Sequence, residues 1–201
     1  MSSSLNSLIV DRRASPVGGV CGQLTGGTEN APASGSRRKL LLALAALPFA
    51  HKGWADPTAG LQPWGSGEFR RFGFFVYEAR LWAGEDPLRP PLALQLEYKR
   101  NIAGKAIAEA SIKEIRQLGL ADEATLGRWG ESMLRLFPDV RPGDVILGEY
   151  QPDAASFYFN GRLLGRIDEA AFARAFFAIW LDARTSAPDL RRALLQRRAR
   201  G

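Results

Sequence analysis

The sequence predicts an α+β domain in which an antiparallel sheet carries helices packed on one face, an open-faced β-sandwich. Three observations lead there. Phe157-Tyr158-Phe159, Asn160-Gly161 and Arg162-Leu163-Leu164-Gly165 read as strand, turn and returning strand, because Asn-Gly supplies the two positive-φ residues of a type I′ turn. Helical spacing follows at once, with Phe172, Ala175, Phe176, Ile179 and Trp180 on one face. Strands and helices also come in separate runs, which favours hairpins over parallel crossovers.

The elements follow in order. Asp56 to Pro63 is a Pro/Gly lead-in, and Trp64-Gly65-Ser66-Gly67 is a turn or a strand start with close backbone approach. Glu68 to Trp82 is rich in Phe, Val and Tyr and reads as one long strand. Its apolar parity changes midway, so either both faces are covered or Gly73 marks a bulge. Leu92, Leu94, Leu96 and Tyr98 alternate with Ala93, Gln95 and Glu97, a half-buried strand. Ala103 to Leu118 is a helix carrying Ile107, Ile112 and Ile115, and Gly119 ends it. Asp122 caps the next helix, with Leu126, Trp129, Met133 and Phe137 inward and Pro138 as its stop. Arg141-Pro142-Gly143-Asp144 is a turn before a strand from Val145 to Tyr150. Asp168 is placed to cap the helix after the hairpin, and Ser186 with Asp189 to box the start of a last short helix. The expected order is two strands, two helices, three strands, two helices.

Residues 1–55 are of a different kind. Ser2 to Gly35 is rich in Ser, Gly, Ala and Pro without periodicity, too polar to bury a core. Arg37, Arg38 and Lys39 then precede the apolar run Leu40 to Ala50, a signal-peptide pattern over residues 36–55. That run is short for a membrane span. Gly53-Trp54-Ala55 offers small residues for cleavage before Asp56. Ser36-Arg37-Arg38-Lys39-Leu40-Leu41 resembles a twin-arginine export signal, and the ordinary secretory route is the alternative. Either reading exports residues 56–201 as one domain, to the periplasm or an equivalent compartment.

Cleavage would restrict the available chemistry. The single Cys, Cys21, and the single His, His51, both lie in the leader. Residues 56–201 thus have no thiolate and no imidazole, which excludes Ser-His and Cys-His catalysis and the usual zinc sites. No metal and no cofactor are expected. Six of the 27 Lys/Arg and two of the 21 Asp/Glu also lie in residues 1–55, leaving 21 basic against 19 acidic residues, net +2. That is not the balance of a nucleic-acid binder. The one basic run, Arg191-Arg192 with Arg197-Arg198-Arg200, reads as a solvated helix end.

Several stretches together resemble the chalcone isomerase-like family, in particular its bacterial exported branch. They are Gly65-Ser66-Gly67-Glu68 leading into Phe75-Val76-Tyr77-Glu78-Ala79-Arg80-Leu81, Leu96-Glu97-Tyr98 before a helix, and Leu136-Phe137-Pro138-Asp139-Val140-Arg141-Pro142-Gly143-Asp144. The last runs from Gly165-Arg166-Ile167 through Phe172 and Phe176 to Ile179-Trp180-Leu181-Asp182. The resemblance implies the open-faced sandwich read above. In the plant isomerases of that family a phenolate closes onto an enone without a cofactor, with an arginine near the substrate. Fatty-acid-binding relatives hold a carboxylate with an arginine and a tyrosine. Their arginine follows a Gly-x-Gly-x-Arg pattern. Here that position is Phe69, and Arg70 comes one residue later, an offset that turns a strand side chain to the other face. The Thr-Gly-x-x-Tyr segment of the plant enzymes has no counterpart, and Tyr98 lies in Leu-Glu-Tyr-Lys-Arg.

Arg70, Tyr77 and Tyr98 are the candidate ligand-binding residues, and no catalytic residue is assigned. Tyr98 shares parity with Leu92, Leu94 and Leu96, so its ring faces inside. The favoured expectation is a non-catalytic exported module binding a small amphipathic or fatty-acid-like molecule. Two alternatives stay open, a cofactor-free isomerase of the chalcone-flavanone type and a ligand-free interaction module of the cell envelope. No nucleic acid is expected as a partner, and no transmembrane helix in the mature chain.

Overall fold

The computed structural model describes residues 56–197. The leader, with its export and cleavage expectations, lies outside the described residues, as do Arg198 and Arg200. Six strands form one sheet: β1 (Gln62–Arg71), β2 (Phe74–Ala83), β3 (Leu92–Tyr98), β4 (Val145–Tyr150), β5 (Ala155–Phe159) and β6 (Arg162–Ile167). They lie side by side in chain order, each antiparallel to the next. Between β3 and β4 come α1 (Gly104–Leu118) and α2 (Glu123–Leu136), and after β6 come α3 (Ala170–Leu181) and α4 (Pro188–Leu195). This is the α+β, open-faced arrangement.

One strand was undercounted. Glu68 to Trp82 is a hairpin, with Phe72 at φ 50° and Gly73 at φ 80° between β1 and β2. A Phe in the first turn position hid it, since Asn, Asp or Gly are the residues that announce such turns. The second hairpin has the expected pair, Asn160 at φ 47° and Gly161 at φ 81°. The parity change has its own cause. Phe69 pairs with Tyr77 but Arg70 pairs with Phe75, so Val76 has no β1 partner. That bulge sends Phe69 and Tyr77 toward the helices and Arg70 and Phe75 to the open face.

Trp64 to Gly67 is not a turn but part of β1, and α4 lies against it. A Cβ on Gly65 would stand 2.3 Å from the Ala193 carbonyl oxygen, so only glycine lets the helix backbone come this near. The Trp64 indole Nε1 donates to the Leu195 carbonyl at 3.1 Å and fixes the helix end.

The core sits between the helices and one sheet face. Ala79, Leu81 and Ala83 of β2 and Leu92, Leu94, Leu96 and Tyr98 of β3 are buried there. From α3, Phe172, Phe176 and Trp180 are buried against them. Phe157 meets Phe137, Phe172 and Phe176 edge-on, at centroid distances of 5.1, 6.3 and 5.0 Å. Each such ring contributes about 1.5–3 kcal/mol on burial, which is why the stripe on α3 decides where that helix lies.

The helix ends agree with expectation in two cases and differ in two. Gly119 closes α1 in the left-handed conformation, and Asp122 Oδ1 accepts from the Thr125 N–H at 2.7 Å to open α2. Asp168 does not cap α3. It pairs with Arg166, and the N-cap is Glu169, whose carboxylate accepts from Trp129 Nε1 at 2.9 Å instead of from the helix. The Ser186–Asp189 box does not form either. The N-cap of α4 is Ala187, and Thr185 Oγ1 both accepts from the Ala187 N–H and donates to the Ile179 carbonyl. In the basic run, Arg191 Nε donates to the Leu181 carbonyl at 2.8 Å, tying α4 to the end of α3.

Candidate functional site

Tyr77 and Tyr98 stand directly opposite each other on β2 and β3, side chains toward the helices. Their rings meet edge to face with centroids 5.9 Å apart. Phe69 of β1 stacks flat on Tyr77 at 4.9 Å. From α3, Trp180 Nε1 donates to the Tyr77 hydroxyl oxygen at 3.0 Å. Strand pairing therefore sets the two rings side by side, and the last turn of α3 sets the indole over one of them.

The electrostatics keep both hydroxyls neutral. Burial pushes the Tyr77 hydroxyl well above its ordinary pKa of 10, partly offset by the Trp180 hydrogen bond and reinforced by Glu114 of α1. Tyr98 is raised further by burial and then by Tyr77. Tyr98 is 3% exposed, and among the described residues its hydroxyl makes no hydrogen bond. Tyr77 accepts from Trp180 and donates to no described residue. The seam thus holds two hydroxyl hydrogens with no acceptor among the described residues; Tyr77 is half-buried, and neither oxygen is among the fully buried atoms that lack a partner.

Arg70 is not brought to this seam. Its guanidinium is exposed on the open face, hydrogen-bonded to Glu68 at 2.9 Å and lying over the Phe75 ring. Phe69, at the arginine's position in the Gly-x-Gly-x-Arg pattern, faces the helix side here. Arg71 follows Phe69 on that side, and its Nε is buried without a hydrogen-bond partner. Phe69 and Trp180 are the site residues that sequence reasoning missed. Trp180 was legible as a core position, but nothing in the spacing tells which oxygen its indole meets.

The open face carries ordinary surface chemistry. Arg80 is paired with Glu78, Glu97 with Lys99, and Tyr158 donates to Glu149. A groove of about 300 Å³ between α2 and β6 is lined by Ser132, Arg135, Leu136, Gly165, Arg166 and Ile167. Both of its arginines already face carboxylates, Glu131 for Arg135 and Asp153 and Asp168 for Arg166. Among the described residues no cluster of His, Cys, Asp and Glu could hold a metal ion. None of their helices is long and apolar enough to cross a membrane.

A family model described as chalcone isomerase-like matches residues 76–196. The chain belongs to the chalcone isomerase-like family. An uncharacterized protein of Haemophilus influenzae is 35% identical over 130 residues, 63% of this chain and 64% of that protein's length. Among solved structures, a fatty-acid binding protein of Arabidopsis thaliana superposes with a TM-score of 0.56 at 12% identity. The superposition covers 67% of this chain and 86% of that one. At that identity the likeness establishes the fold. Within this chalcone isomerase-like domain, Tyr77, Tyr98, Phe69 and Trp180 are four neighbours at one end of the sheet–helix seam.

Proposed function

We propose that this chain is an exported, non-catalytic member of the family that holds a small amphipathic molecule bearing a carboxylate or carbonyl. One observation supports the reading most. Tyr77 and Tyr98 present two neutral hydroxyl hydrogens without acceptors, side by side and walled by aromatic rings. A carboxylate oxygen accepting from both would satisfy them, at roughly twice the strength of a neutral hydrogen bond. Phe69, half-buried on β1, closes the seam and would swing aside to admit the apolar tail.

Neither tyrosine is suited to act as a base or nucleophile, a role that needs a pKa near neutrality, because burial moves both the other way. No arginine stands at the Phe69 position, and Arg71, the guanidinium on that side, lies over the Phe72 ring at the hairpin tip. The fatty-acid binding of the Arabidopsis protein agrees with the reading, as does the leader pattern in residues 36–55.

Displacement of a fluorescent fatty acid is the test. Binding by the wild type, weakened about tenfold or more in Tyr77→Phe/Tyr98→Phe with the fold intact, is expected. Equal binding in both would remove the tyrosines from the site. Chalcone mixed with the protein should lose its absorbance at the rate in buffer. Faster loss would establish an isomerase instead.

A further inference from the structure

The β1–β2 hairpin tip breaks two local rules at once. Its first turn residue is Phe72, a bulky side chain at φ 50°, a conformation that costs such residues roughly 1–2 kcal/mol. The fold offers no burial in return, since Phe72 is 81% and Phe74 51% exposed. The other hairpin of the same chain, at Asn160-Gly161, shows the unstrained solution.

The tip also projects. The last backbone bond from the β3 side is Lys99 N–H to the Val76 carbonyl at 2.9 Å, so Phe74 and Phe75 extend beyond it by about 7 Å at the usual strand rise. Four cations surround it. Arg71 lies over the Phe72 ring at 5.4 Å and Arg100 over Phe74 at 4.5 Å. Arg70 and Lys99 lie over Phe75 at 4.9 and 5.8 Å. Arg70 is paired with Glu68 and Lys99 with Glu97, whereas Arg71 and Arg100 meet no carboxylate among the described residues.

We propose that this tip docks on an anionic phospholipid surface, with Phe72 and Phe74 entering the acyl boundary and Arg71 and Arg100 meeting lipid phosphates. The chemistry suits that partner. A bilayer offers a deformable apolar layer directly beneath a sheet of anions, which suits rings and guanidiniums 4.5 and 5.4 Å apart. A protein partner would need a preformed slot for two rings. A second copy of this chain would set Arg71 and Arg100 against their equivalents, like charge against like. The proposal rests on the tip alone and does not depend on ligand binding at Tyr77 and Tyr98.

Flotation of the full chain with vesicles tests it, comparing phosphatidylcholine alone with an equimolar phosphatidylcholine–phosphatidylglycerol mixture. The variants are Phe72→Asn, Phe74→Ser and Arg71→Gln/Arg100→Gln. Phe72→Asn carries the decisive contrast, because it places the residue such a turn prefers and should fold at least as stably as wild type. Binding to the mixed vesicles, reduced about tenfold or more by Phe72→Asn and by Phe74→Ser, is expected. The double arginine variant should lose the preference for anionic lipid. Wild type that stays with neither vesicle, or tip variants that float as wild type does, overturn the proposal. So does a loss confined to self-association or to capture of a protein, with vesicle binding unchanged.

Discussion

Trp180 gives its indole hydrogen to the Tyr77 hydroxyl oxygen, 3.0 Å away across the seam between α3 and β2. The bond joins the residue that ends the α3 stripe to the strand that carries the candidate site. Removing either partner leaves the other polar group buried without an equivalent. Tyr77→Phe and Trp180→Phe should each destabilise the domain by about 1–2 kcal/mol. In a urea-denaturation double-mutant cycle the two changes should be less than additive, with a coupling of about 0.5–1.5 kcal/mol. Strict additivity would mean that the bond contributes nothing.

The two tyrosines also set an alkaline limit. Each has an ordinary pKa of 10 that burial raises in the fold. Above pH ~10 the unfolded chain releases these protons while the folded one keeps them, so stability falls as pH rises. Below that pH the contribution is fully present. Urea midpoints taken from neutral to strongly alkaline pH should therefore decline from about pH 10 upward. The decline should be shallower in Tyr98→Phe, which removes one of the two groups. An unchanged slope in that variant would place the titration elsewhere.

Phe72 makes a prediction about stability apart from any partner. At φ 50° it occupies backbone space that Asn and Gly accept more readily. Phe72→Asn should raise stability by roughly 0.5–1 kcal/mol in urea denaturation. A destabilised variant would show that the exposed ring and its Arg71 contact contribute more than the turn strain costs.

Gly65 should tolerate nothing larger. Even alanine would put a Cβ 2.3 Å from the Ala193 carbonyl oxygen, against helix backbone that has no flexible side chain to give way. Gly65→Ala should cost about 1–3 kcal/mol and loosen α4. Hydrogen exchange localised to residues 188–195 would show it. Wild-type protection there would mean that the strand shifts instead of the helix.

The strand and helix order was legible wherever burial is one-sided. The alternation from Leu92 to Tyr98 and the stripe from Phe172 to Trp180 carried most of the fold, because period alone names the buried face. Caps were legible at Asp122, where one side chain has one local task. They were not at Asp168, whose carboxylate has a competing cation, Arg166, two residues away. The β1–β2 hairpin was hidden for a related reason. Phe72 is chosen against its turn, so the chain shows continuous aromatic strand where the backbone reverses.

The candidate site was half legible. Parity placed Tyr98 inside, and the offset of Arg70 from the family pattern foretold a turn to the other face, where it meets Glu68. The bulge that puts Tyr77 beside Phe69 showed in the sequence as a change of apolar parity, but it lies at Val76 and not at Gly73, which belongs to the turn. Spacing does not tell that the Tyr77 hydroxyl accepts from an indole 103 residues away.

Native mass spectrometry of the chain purified from the cell envelope bears most directly on the seam. The account expects a bound carboxylate-bearing lipid to add mass to the wild type and to disappear in Tyr77→Phe/Tyr98→Phe, with circular dichroism confirming an intact fold. A wild type that flies at its bare polypeptide mass, even after incubation with fatty acid, would contradict it.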